Sequence, residues 1–521
     1  MEEFKKKELL LKDREKELSL RQGLLDKRSK QAQSFKDRED FRLIFEKSRD
    51  LHQAHYIDRP EVPSKDPNDF FAKNLLRSSL PIPTLGELQV VRHFSLLSER
   101  NFSVDSNFYP LGSCTMKYNP KINDELSDLS GFIDIHPLQC QQDVQGALQV
   151  IFNLEQLLCR ITGLKRFSMQ PSSGAQGELC GMLMIKKFHQ ISGKKKNTVI
   201  IPDSAHGTNP ATAAMCGFKI QIVKSNSKGL VDLDYLNSLV SEDTAAMMLT
   251  NPNTLGLFEE NITEIAEIIH KKGGFLYYDG ANLNPLMGFT NPGLMGFDVA
   301  HFNLHKTFST PHGCGGPGAG VIGVGEKLID FLPVPLVGKK ENIFYFDYSP
   351  CNSIGRLRSF YGNFSILVRA YAYILRLGER GLARAASNSV LNANYIKEKL
   401  KKTFDLPYDK TCMHEVVFSC SRQRERGASA LDIAKRLIDY GIHPPTMYFP
   451  LIVKEALMIE PTETESKQTL DYFIKSLEKI DREIDQDLQN IKDSPHTSWV
   501  KRVDEVKAAR FPDLRCKIIG D

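Results

Sequence analysis

The sequence predicts an α/β protein with a mostly parallel sheet in a large domain, followed by a smaller domain. Strand-like and helix-like segments alternate from about residue 146 to 330, a pattern typical of a parallel sheet with helices on its faces. From about residue 360 a long helical stretch, LVRAYAYILRL, leads into a smaller segment of mixed helices and strands. At 521 residues and 41% hydrophobic content, the chain is long enough to bury more than one core.

The individual elements follow from the length and periodicity of the apolar runs. Runs of five or six residues rich in β-branched and aromatic side chains predict strands, and longer runs with helical spacing predict helices. In chain order the predictions are a helix in VIFNLEQLLCRIT, a strand in RFSMQ, a helix in GELCGMLMIKKFH, strands in NTVIIP, KIQIV and AAMMLT, a helix in ITEIAEIIHKKG, and strands in FLYYD and VAHFNL.

Composition divides the chain into four regions. Residues 1–40 mix charges with leucines at irregular helical spacing, which is compatible with a charged helical extension that contacts a partner or with a poorly ordered one. Residues 41–145, rich in proline and charge, predict an N-terminal arm followed by an active-site loop. The large domain is expected at 146–360 and the C-terminal small domain at 361–521.

Charge and cysteine usage narrow the class of protein. The 68 basic and 64 acidic residues give a net charge of +4, which does not favour a nucleic-acid or membrane surface. The ten cysteines form no CxxC pair, so reduced thiols in a cytosol-like compartment are expected. The sequence has no apolar run long enough to span a bilayer, and its charged N-terminus does not resemble a secretory signal. A cytoplasmic location is therefore predicted.

Four polar loops follow predicted strands, where an open parallel sheet leaves a crevice for ligands. The first, QPSSGAQGELCG, places two serines and Gly174 before a helix, so its amides form a candidate anion cradle, although a plain strand-to-helix turn explains it equally well. The second, PDSAHGTNP, carries His206, whose imidazole is either an ordinary loop side chain or a group that stacks on an aromatic ring.

The other two loops carry charges at the ends of apolar strands. Asp279 ends FLYYD, and a carboxylate in such a position needs a cation or a strong donor as partner, unless it only caps the next turn. Lys306 follows VAHFNL and precedes a glycine-rich loop, an unusual place for a surface lysine. Pyridoxal phosphate needs all four features: a cradle for its phosphate, a flat group on its ring, a carboxylate at its pyridine nitrogen and a lysine that holds its aldehyde as a Schiff base.

The same residues lie within long stretches that resemble a known family. From about residue 41 the chain is similar to the pyridoxal-phosphate-bearing subunit 2 (β subunit) of the glycine cleavage system P-protein, glycine dehydrogenase (decarboxylating). The matching stretches are FYPLGSCTMKYNPK, GFIDIHPLQ, PDSAHGTNPATA, MLTNPNTLGLFEENI, YYDGANLNPLMG, NLHKTFSTPHG, SFYGNF, VLNANY, DYGIHPPTMYFPLIV and MIEPTETES. Their combined length makes the resemblance far more specific than any isolated glycine motif.

The resemblance implies a fold-type I pyridoxal-phosphate enzyme, with a mostly parallel seven-stranded sheet in the large domain and a smaller C-terminal α/β domain. It implies that Lys306 is the Schiff-base lysine, that Asp279 pairs with the pyridinium nitrogen, and that His206 also takes part in catalysis. The implied cofactor contacts are Lys306, Asp279, His206, Ala281, Ser172, Ser173, Gly174, Ala175, Thr208 and His305. Ser113 and Cys114 are expected in the loop that covers the mouth of the site, and no metal is implied.

The implied activity is decarboxylation of glycine, release of CO2 and transfer of the aminomethyl group to the lipoyl arm of the H-protein. The sequence has no preceding homologous half, so the resemblance also implies subunit 1 (the α subunit) as partner in an (αβ)2 heterotetramer, with the T- and L-proteins as pathway partners. Two alternatives remain: a fold-type I amino-acid decarboxylase that needs no lipoyl acceptor, and a non-catalytic scaffold subunit. One departure is Cys314, which stands in HGCGGPG where the family pattern has glycine.

Overall fold

The computed structural model describes residues 43–47, 61–63, 65–77, 82–312 and 318–514. The predicted extension 1–40 and Cys314 therefore lie outside the described residues. The chain divides into two compact units, one formed by 1–101 with 504–521 and the other by 102–503. The domain boundaries expected from the sequence stay predictions.

The first unit contains short helices. They are α1 (Ile44–Lys47), α2 (Glu87–Glu99) and α16 (Glu505–Arg510), with single 3-10 turns at Pro67–Asp69 and Lys73–Leu75. Helix α2 buries only His93, whereas its apolar residues Leu88, Val91 and Phe94 are each more than half exposed.

A seven-stranded sheet forms the centre of the second unit, in the strand order β1-β7-β6-β5-β4-β2-β3. Its strands are β1 (Arg166–Ser168), β2 (Thr198–Pro202), β3 (Lys219–Val223), β4 (Thr244–Thr250), β5 (Phe275–Asp279), β6 (Val299–Asn303) and β7 (Gly320–Val324). Strands β3, β2, β4, β5 and β6 run parallel, and β7 runs antiparallel to both β6 and β1. The predicted fold class, with a mostly parallel seven-stranded sheet, is confirmed.

Helices cover both faces of this sheet. The helices of the second unit that precede β7 are α3 (Lys121–Ser127), α4 (Ser130–Ile133), α5 (Gln145–Thr162), α6 (Gly174–Ile191), α7 (Thr208–Met215), α8 (Leu233–Leu239), α9 (Ile262–Lys271) and α10 (Leu304–Thr307). Alternate residues of a strand face opposite sides, so Tyr278 packs in the core with α5 and α9, while Tyr277 packs in the core with α6. Every residue of β4, β5 and β6 is buried, which explains their continuous apolar runs.

The C-terminal part of the second unit has its own sheet and core. Strands β10 (Val416–Ser419), β12 (Ala456–Ile459) and β11 (Thr446–Met447) pair antiparallel in that order. They pack with α11 (Phe364–Leu400), which is interrupted at Gly378, and with the later helices. Those helices are α12 (Ser421–Glu425), α13 (Ala430–Asp439), α14 (Lys467–Gln486) and α15 (Leu488–Lys492), and a two-stranded ribbon of β8 (Leu336–Lys340) and β9 (Ile343–Asp347) precedes this part.

The strands and helices predicted from 146 to 304 are all present. Strand β7 and helices α7, α8 and α10 were not predicted. Strand β7 and helix α7 lie in stretches whose glycines, proline or small side chains weaken the periodic signal. Among the described ranges, no helix is both long and apolar enough to cross a membrane.

Candidate active site

The candidate site lies where β4, β5 and β6 end. These strands are parallel, and their register sets Asp279 of β5 beside Thr250 of β4 and beside His301 of β6. The carboxyl ends of parallel strands share one edge of a sheet, so the loops that follow them converge there. The resulting pocket has a volume of about 490 Å³ including space open to solvent, and Lys306 and Asp279 both line it.

Asp279 is the most completely buried charged side chain of this pocket's predicted residues, with 3% of its surface exposed. Its Oδ2 accepts a hydrogen bond from Asn209 Nδ2 at 3.0 Å, its Oδ1 accepts one from the Ala281 amide at 3.1 Å, and His301 Nε2 lies 3.3 Å from Oδ1. Burial alone raises the pKa of this carboxyl, but His301, the Asn209 amide and the Lys306 charge outweigh burial and lower it. Asp279 is therefore held as an ionised carboxylate.

A second carboxyl group, Glu178 of α6, lies next to Asp279. Glu178 accepts hydrogen bonds from Thr208 Oγ1 at 2.7 Å and from Asn209 Nδ2 at 3.0 Å, so Asn209 joins the two carboxyl groups. Burial and then the negative charge of Asp279 raise the pKa of Glu178 to about 7. Of the two carboxyl groups, Asp279 takes the charge and Glu178 takes the proton more readily.

Lys306 lies in the single-turn helix α10, directly after β6. Its ammonium makes no hydrogen bond to any described residue, although it lies close enough to influence the charges of Asp279 and His301. His305, the residue before it, is not among the residues that line the pocket; Asn303 Nδ2 lies 3.4 Å from its Nε2 and its ring packs edge-on against His312. Burial, then His312 and Lys306, lower the pKa of His305 to about 3.

The N-terminus of α6 opens onto the same pocket. Gly174 and Ala175 line it, whereas the Ser173 hydroxyl accepts the Gln176 amide at 3.2 Å as the helix cap, and Ser172 donates to Gln176 Oε1 at 2.7 Å. A Cβ on Gly174 would lie 2.5 Å from Asn303 Oδ1, so the close approach of helix and strand requires glycine at this position.

His206 lies at the exposed rim of the pocket. Its Nδ1 accepts the Thr208 amide at 3.2 Å and lies 2.9 Å from Thr208 Oγ1, which fixes the ring over the loop before α7. Phe449 packs edge-on against it with ring centroids 5.7 Å apart. Both His206 and Thr208 line the pocket, as does Ala281.

The structure brings together most of the residues predicted from sequence. Seven of the ten predicted contacts line the pocket, namely Lys306, Asp279, His206, Ala281, Gly174, Ala175 and Thr208, and Ser113 joins them. Ser172, Ser173 and His305 lie next to lining residues without lining the pocket themselves. Sequence reasoning missed Glu178, Asn209 and His301; the only available signal was that His301 stands two residues from Asn303 on the same face of an apolar strand.

The pocket can hold pyridoxal phosphate. The Lys306 ammonium, which has no hydrogen-bond partner among the described residues, matches the aldehyde of that group. The ionised Asp279 matches its ring N–H, and the amide-rich start of α6 matches its phosphate. Three lining residues also carry a buried oxygen that has no hydrogen-bond partner among the described residues: Thr250 Oγ1, Asn282 Oδ1 and Asn303 Oδ1. Buried polar atoms are normally satisfied, so a polar ligand in this pocket explains them.

The fold and the pocket together define a fold-type I pyridoxal-phosphate enzyme. Among solved structures, the chain is similar to the crystal structure of glycine decarboxylase (P-protein) of the glycine cleavage system in inhibitor-bound form, with a TM-score of 0.67 and 20% identity over 79% of this chain and 94% of that one. It is also similar to a Lactobacillus brevis glutamate decarboxylase, with a TM-score of 0.62 and 15% identity over 86% of this chain and 99% of that one. At these identities the structural likeness shows the fold.

Sequence comparison adds the family. Residues 67–344 match the family described as glycine cleavage system P-protein, and residues 385–502 match that described as glycine dehydrogenase, C-terminal domain. Probable glycine dehydrogenase (decarboxylating) subunit 2 of Caldanaerobacter subterraneus subsp. tengcongensis is 54% identical over 91% of this chain and 98% of its own length. The Bacillus licheniformis protein of the same name is 53% identical over 92% and 99%.

The chain belongs to the glycine cleavage system P-protein family. The predicted resemblance, the pyridoxal-phosphate cofactor and the enzymatic decarboxylation of glycine are thereby confirmed.

Proposed function

We propose that this chain decarboxylates glycine in the pocket at the ends of β4, β5 and β6, with Lys306 as the covalent anchor of the cofactor and Asp279 as the partner of its ring nitrogen. The observation that carries the proposal is that these two side chains line one pocket. The positive charge of Lys306 also contributes to the lowered pKa of Asp279, so the two charges interact within this pocket.

When bound, pyridoxal phosphate supplies an aldehyde that links to an amine and an electron-poor ring that stabilises the negative charge left by the loss of CO2. Asp279 favours the protonated ring nitrogen because its carboxylate stays ionised, and Asn209 and His301 keep that carboxylate oriented. Gly174 and Ala175 present the start of α6 to the phosphate, with Ser172, Ser173, Thr208 and His305 as further members of this phosphate side.

Two residues act on the substrate side in this proposal. Lys306 would hold the cofactor through Nζ, and the same amine, when free, would accept and return a proton. His206 Nδ1 accepts a backbone amide, so the neutral ring carries its proton on Nε2 and presents a flat face at the rim of the pocket. Ala281 also lines the pocket, and we assign it to the opposite face of the ring, where a small side chain leaves room.

The acceptor and partners are part of the same proposal. The open rim near His206 admits a lipoyl arm carried by the H-protein, which takes the aminomethyl group. We assign subunit 1 as the partner in an (αβ)2 assembly, the T- and L-proteins as the enzymes that process the loaded arm, and the cytoplasm as the location. The curated relatives, whose names call them subunit 2, support a partner subunit. Co-purification of tagged subunit 1 with this chain, followed by a mass measurement, tests the assembly.

The catalytic proposal is tested with wild-type chain, Lys306→Ala and the exposed-lysine control Lys272→Ala, each combined with subunit 1. Wild type and control are expected to show a visible absorbance band of bound cofactor and glycine-dependent exchange of labelled bicarbonate with lipoyl H-protein. Lys306→Ala is expected to lose the covalently bound band and to lower exchange by at least about a thousandfold. Absence of a band in wild type supports a scaffold subunit, and decarboxylation without a lipoyl acceptor supports a different decarboxylase.

A further inference from the structure

The turn Ser113–Thr115, which lies beside the pocket, has an unusual backbone. Ser113 has φ +63° and Thr115 has φ +49°, both in the left-handed region. This region is disfavoured for residues with a Cβ atom, so such conformations persist only where the surroundings hold them. Ser113 lines the pocket together with Lys306, which places this strained turn at the reaction site.

Two buried glutamates from the C-terminal part of the chain hold the turn. Glu415 Oε2 accepts the Ser113 amide at 2.7 Å. Glu460 accepts the Thr115 amide at 2.8 Å and the Thr115 hydroxyl at 2.6 Å. Both glutamates are completely buried, and each directly precedes or follows a strand of the small sheet, so their positions are fixed by that sheet.

The two carboxyl groups lie together with His414, their ligand-type atoms all within 4.8 Å of one another. Burial raises the pKa of both carboxyls, and Glu460 raises that of Glu415 further. Glu415 Oε1 has no hydrogen-bond partner among the described residues, and His414 Nε2 lies 3.8 Å from it. A neutral Glu415 and a glutamine at this position each accept a hydrogen bond from the Ser113 amide. Glu415→Gln is therefore the conservative variant of the test.

The turn is also tied to the elements around the catalytic lysine. Asn284 Nδ2 donates to Glu460 Oε1 at 3.2 Å, and Lys117 Nζ donates to the carbonyl of Thr307, the residue after Lys306, at 2.8 Å. On the other side, Gly112 accepts the Thr446 hydroxyl at 2.8 Å, and a Cβ on Gly112 would lie 2.2 Å from Met458. The turn is therefore fixed between the small sheet and the end of β6.

We propose that Glu415 and Glu460 are positioning residues for the decarboxylation: they hold the Ser113–Thr115 turn in its left-handed conformation and so keep Ser113 in place beside Lys306. The inference rests on the proposed function. It assigns a role in the reaction to two residues for which the structure shows no hydrogen bond to Lys306 or Asp279 among the described residues.

A metal ion is the competing explanation for the cluster, because one histidine and two carboxylates are also metal ligands. Both Glu460 oxygens already accept hydrogen bonds from Thr115 and Asn284, and the Lys306 ammonium adds positive charge within interaction range. The positioning role needs no further cation, because the carboxyl groups themselves accept the hydrogen bonds from Ser113 and Thr115. Elemental analysis of the purified holoenzyme distinguishes the two: a stoichiometric metal that is lost in Glu415→Gln overturns the proposal.

Cys114 lies in the middle of the turn, so the reactivity of its thiol shows whether the turn is held in place. Its thiol is partly exposed, and burial raises its pKa to about 11, so it reacts slowly while the turn is held. The experiment measures alkylation of Cys114 by peptide mass spectrometry in the holoenzyme, with the exposed Cys140 and Cys351 as internal references. The variants are Glu415→Gln, Glu415→Ala and the milder Thr115→Ala, which removes only the hydroxyl bond to Glu460.

The matched control is Glu155→Ala. Glu155 is also a buried glutamate that accepts a backbone amide, at 3.0 Å, but its donor Phe167 does not line the pocket, whereas Ser113 does. Glu415→Ala is expected to speed Cys114 alkylation about tenfold or more and to lower kcat/KM for glycine about tenfold or more. Glu415→Gln should stay within about threefold of wild type in both measurements, and Thr115→Ala should fall between the two.

The outcomes separate this inference from the proposed function. If wild type shows no glycine-dependent exchange, the proposed function fails, while Cys114 alkylation still reports whether the glutamates hold the turn. The positioning role is overturned if Glu415→Ala matches wild type in both the rate of Cys114 alkylation and kcat/KM. It is also overturned if Glu155→Ala lowers kcat/KM as much as Glu415→Ala does when the two variants lose the same Tm. Should Glu415→Ala not fold, Thr115→Ala alone decides: unchanged alkylation and kcat/KM overturn the role.

Discussion

At the residue scale, the proposed chemistry depends on two neighbouring carboxyl groups whose pKa values shift in opposite directions. Asp279 stays ionised because His301, Asn209 and Lys306 outweigh its burial, whereas burial and the charge of Asp279 raise the pKa of Glu178 to about 7. Both accept a hydrogen bond from the same Asn209 amide. Of the two, only Asp279, which stays ionised, suits the proposed role at the ring nitrogen, because a carboxylate there favours the protonated form of that nitrogen.

This difference predicts unequal effects of two isosteric substitutions. Asp279→Asn removes a full charge and is expected to lower kcat/KM for glycine on the order of 100-fold or more. Glu178→Gln mimics the protonated form that is already populated near neutrality, so we expect less than about tenfold loss and a flatter pH profile between about pH 6 and 8. Exchange assays across this pH range, with cofactor content checked by absorbance, measure both. Equal losses in the two variants contradict this assignment.

Lys306 and Asp279 could be singled out from the sequence because Asp279 ends an apolar strand and Lys306 closely follows one, where a charged side chain is unusual. Glu178 could not, since a glutamate in a helix normally faces solvent, and its burial depends on Asn209, 31 residues further along the chain. Because every residue of β6 is buried, its sequence pattern does not show which face of the sheet His301 occupies. Its position beside Asp279 follows from strand pairing, which periodicity does not specify.

At the element scale, helix α5 is joined to strand β1 by one buried carboxyl group. Glu155 of α5 accepts the Phe167 amide at 3.0 Å and lies 3.3 Å from Arg166. Burial raises the pKa of Glu155 to about 7 despite this arginine. The folded chain therefore binds a proton at Glu155 more tightly than the unfolded chain does, and the stability that this proton gives is lost as the pH rises from about 4.5 through 7.

Glutamine keeps the acceptor for Phe167 without the ionisation. We expect Glu155→Gln to gain stability relative to wild type as the pH rises from 5 to 8, by about 1–3 kcal/mol. Urea unfolding of both proteins at pH 5 and pH 8 measures the difference. Glu267→Gln, on the exposed face of α9, serves as the control and should show no such trend. A Glu155→Gln advantage that shrinks at high pH contradicts the assigned direction.

The elements themselves were largely predictable where apolar runs were long. Strand β7 was not, because Gly320 and Gly323 interrupt its pattern. The structure shows why they are there: a Cβ on Gly320 would lie 1.8 Å from the Ser173 carbonyl, and one on Gly323 would lie 2.3 Å from the Phe167 ring. Close packing against α6 and β1 thus requires glycine at these two positions, and glycine weakens the sequence pattern that predicts a strand.

At the scale of the second unit as a whole, one lysine connects the loop before α3 with three other segments. Lys117 Nζ donates to the Thr307 carbonyl at 2.8 Å, to the Tyr373 hydroxyl at 3.3 Å and to Glu463 Oε1 at 2.7 Å. Burial alone lowers the pKa of Lys117, but the Glu463 charge outweighs it and raises the pKa above its usual value. Removal of this ammonium leaves a carboxylate buried without its cation.

Lys117→Ala is accordingly expected to lower the free energy of unfolding by about 3–5 kcal/mol. The control is Lys121→Ala, which breaks a salt bridge of similar length, 2.6 Å to Asp105, between side chains that are each about half exposed. That variant should lose less than about 1 kcal/mol. Chemical denaturation of the two variants beside wild type gives both values. Similar losses in the two would show that burial does not decide the strength of the Lys117 pair.

The sequence by itself determined the strands and helices with long apolar runs, the class of fold and the charged residues at or just after strand ends, because apolar periodicity and the placement of a charge are local properties. Tertiary structure alone decided which polar groups meet: Asn209 between two carboxyls, His301 beside Asp279, and Glu415 and Glu460 on the Ser113–Thr115 turn. Ser113 and Glu415 are 302 positions apart in the chain. Contacts at such separations depend on how sheets and helices pack, and no local pattern encodes them.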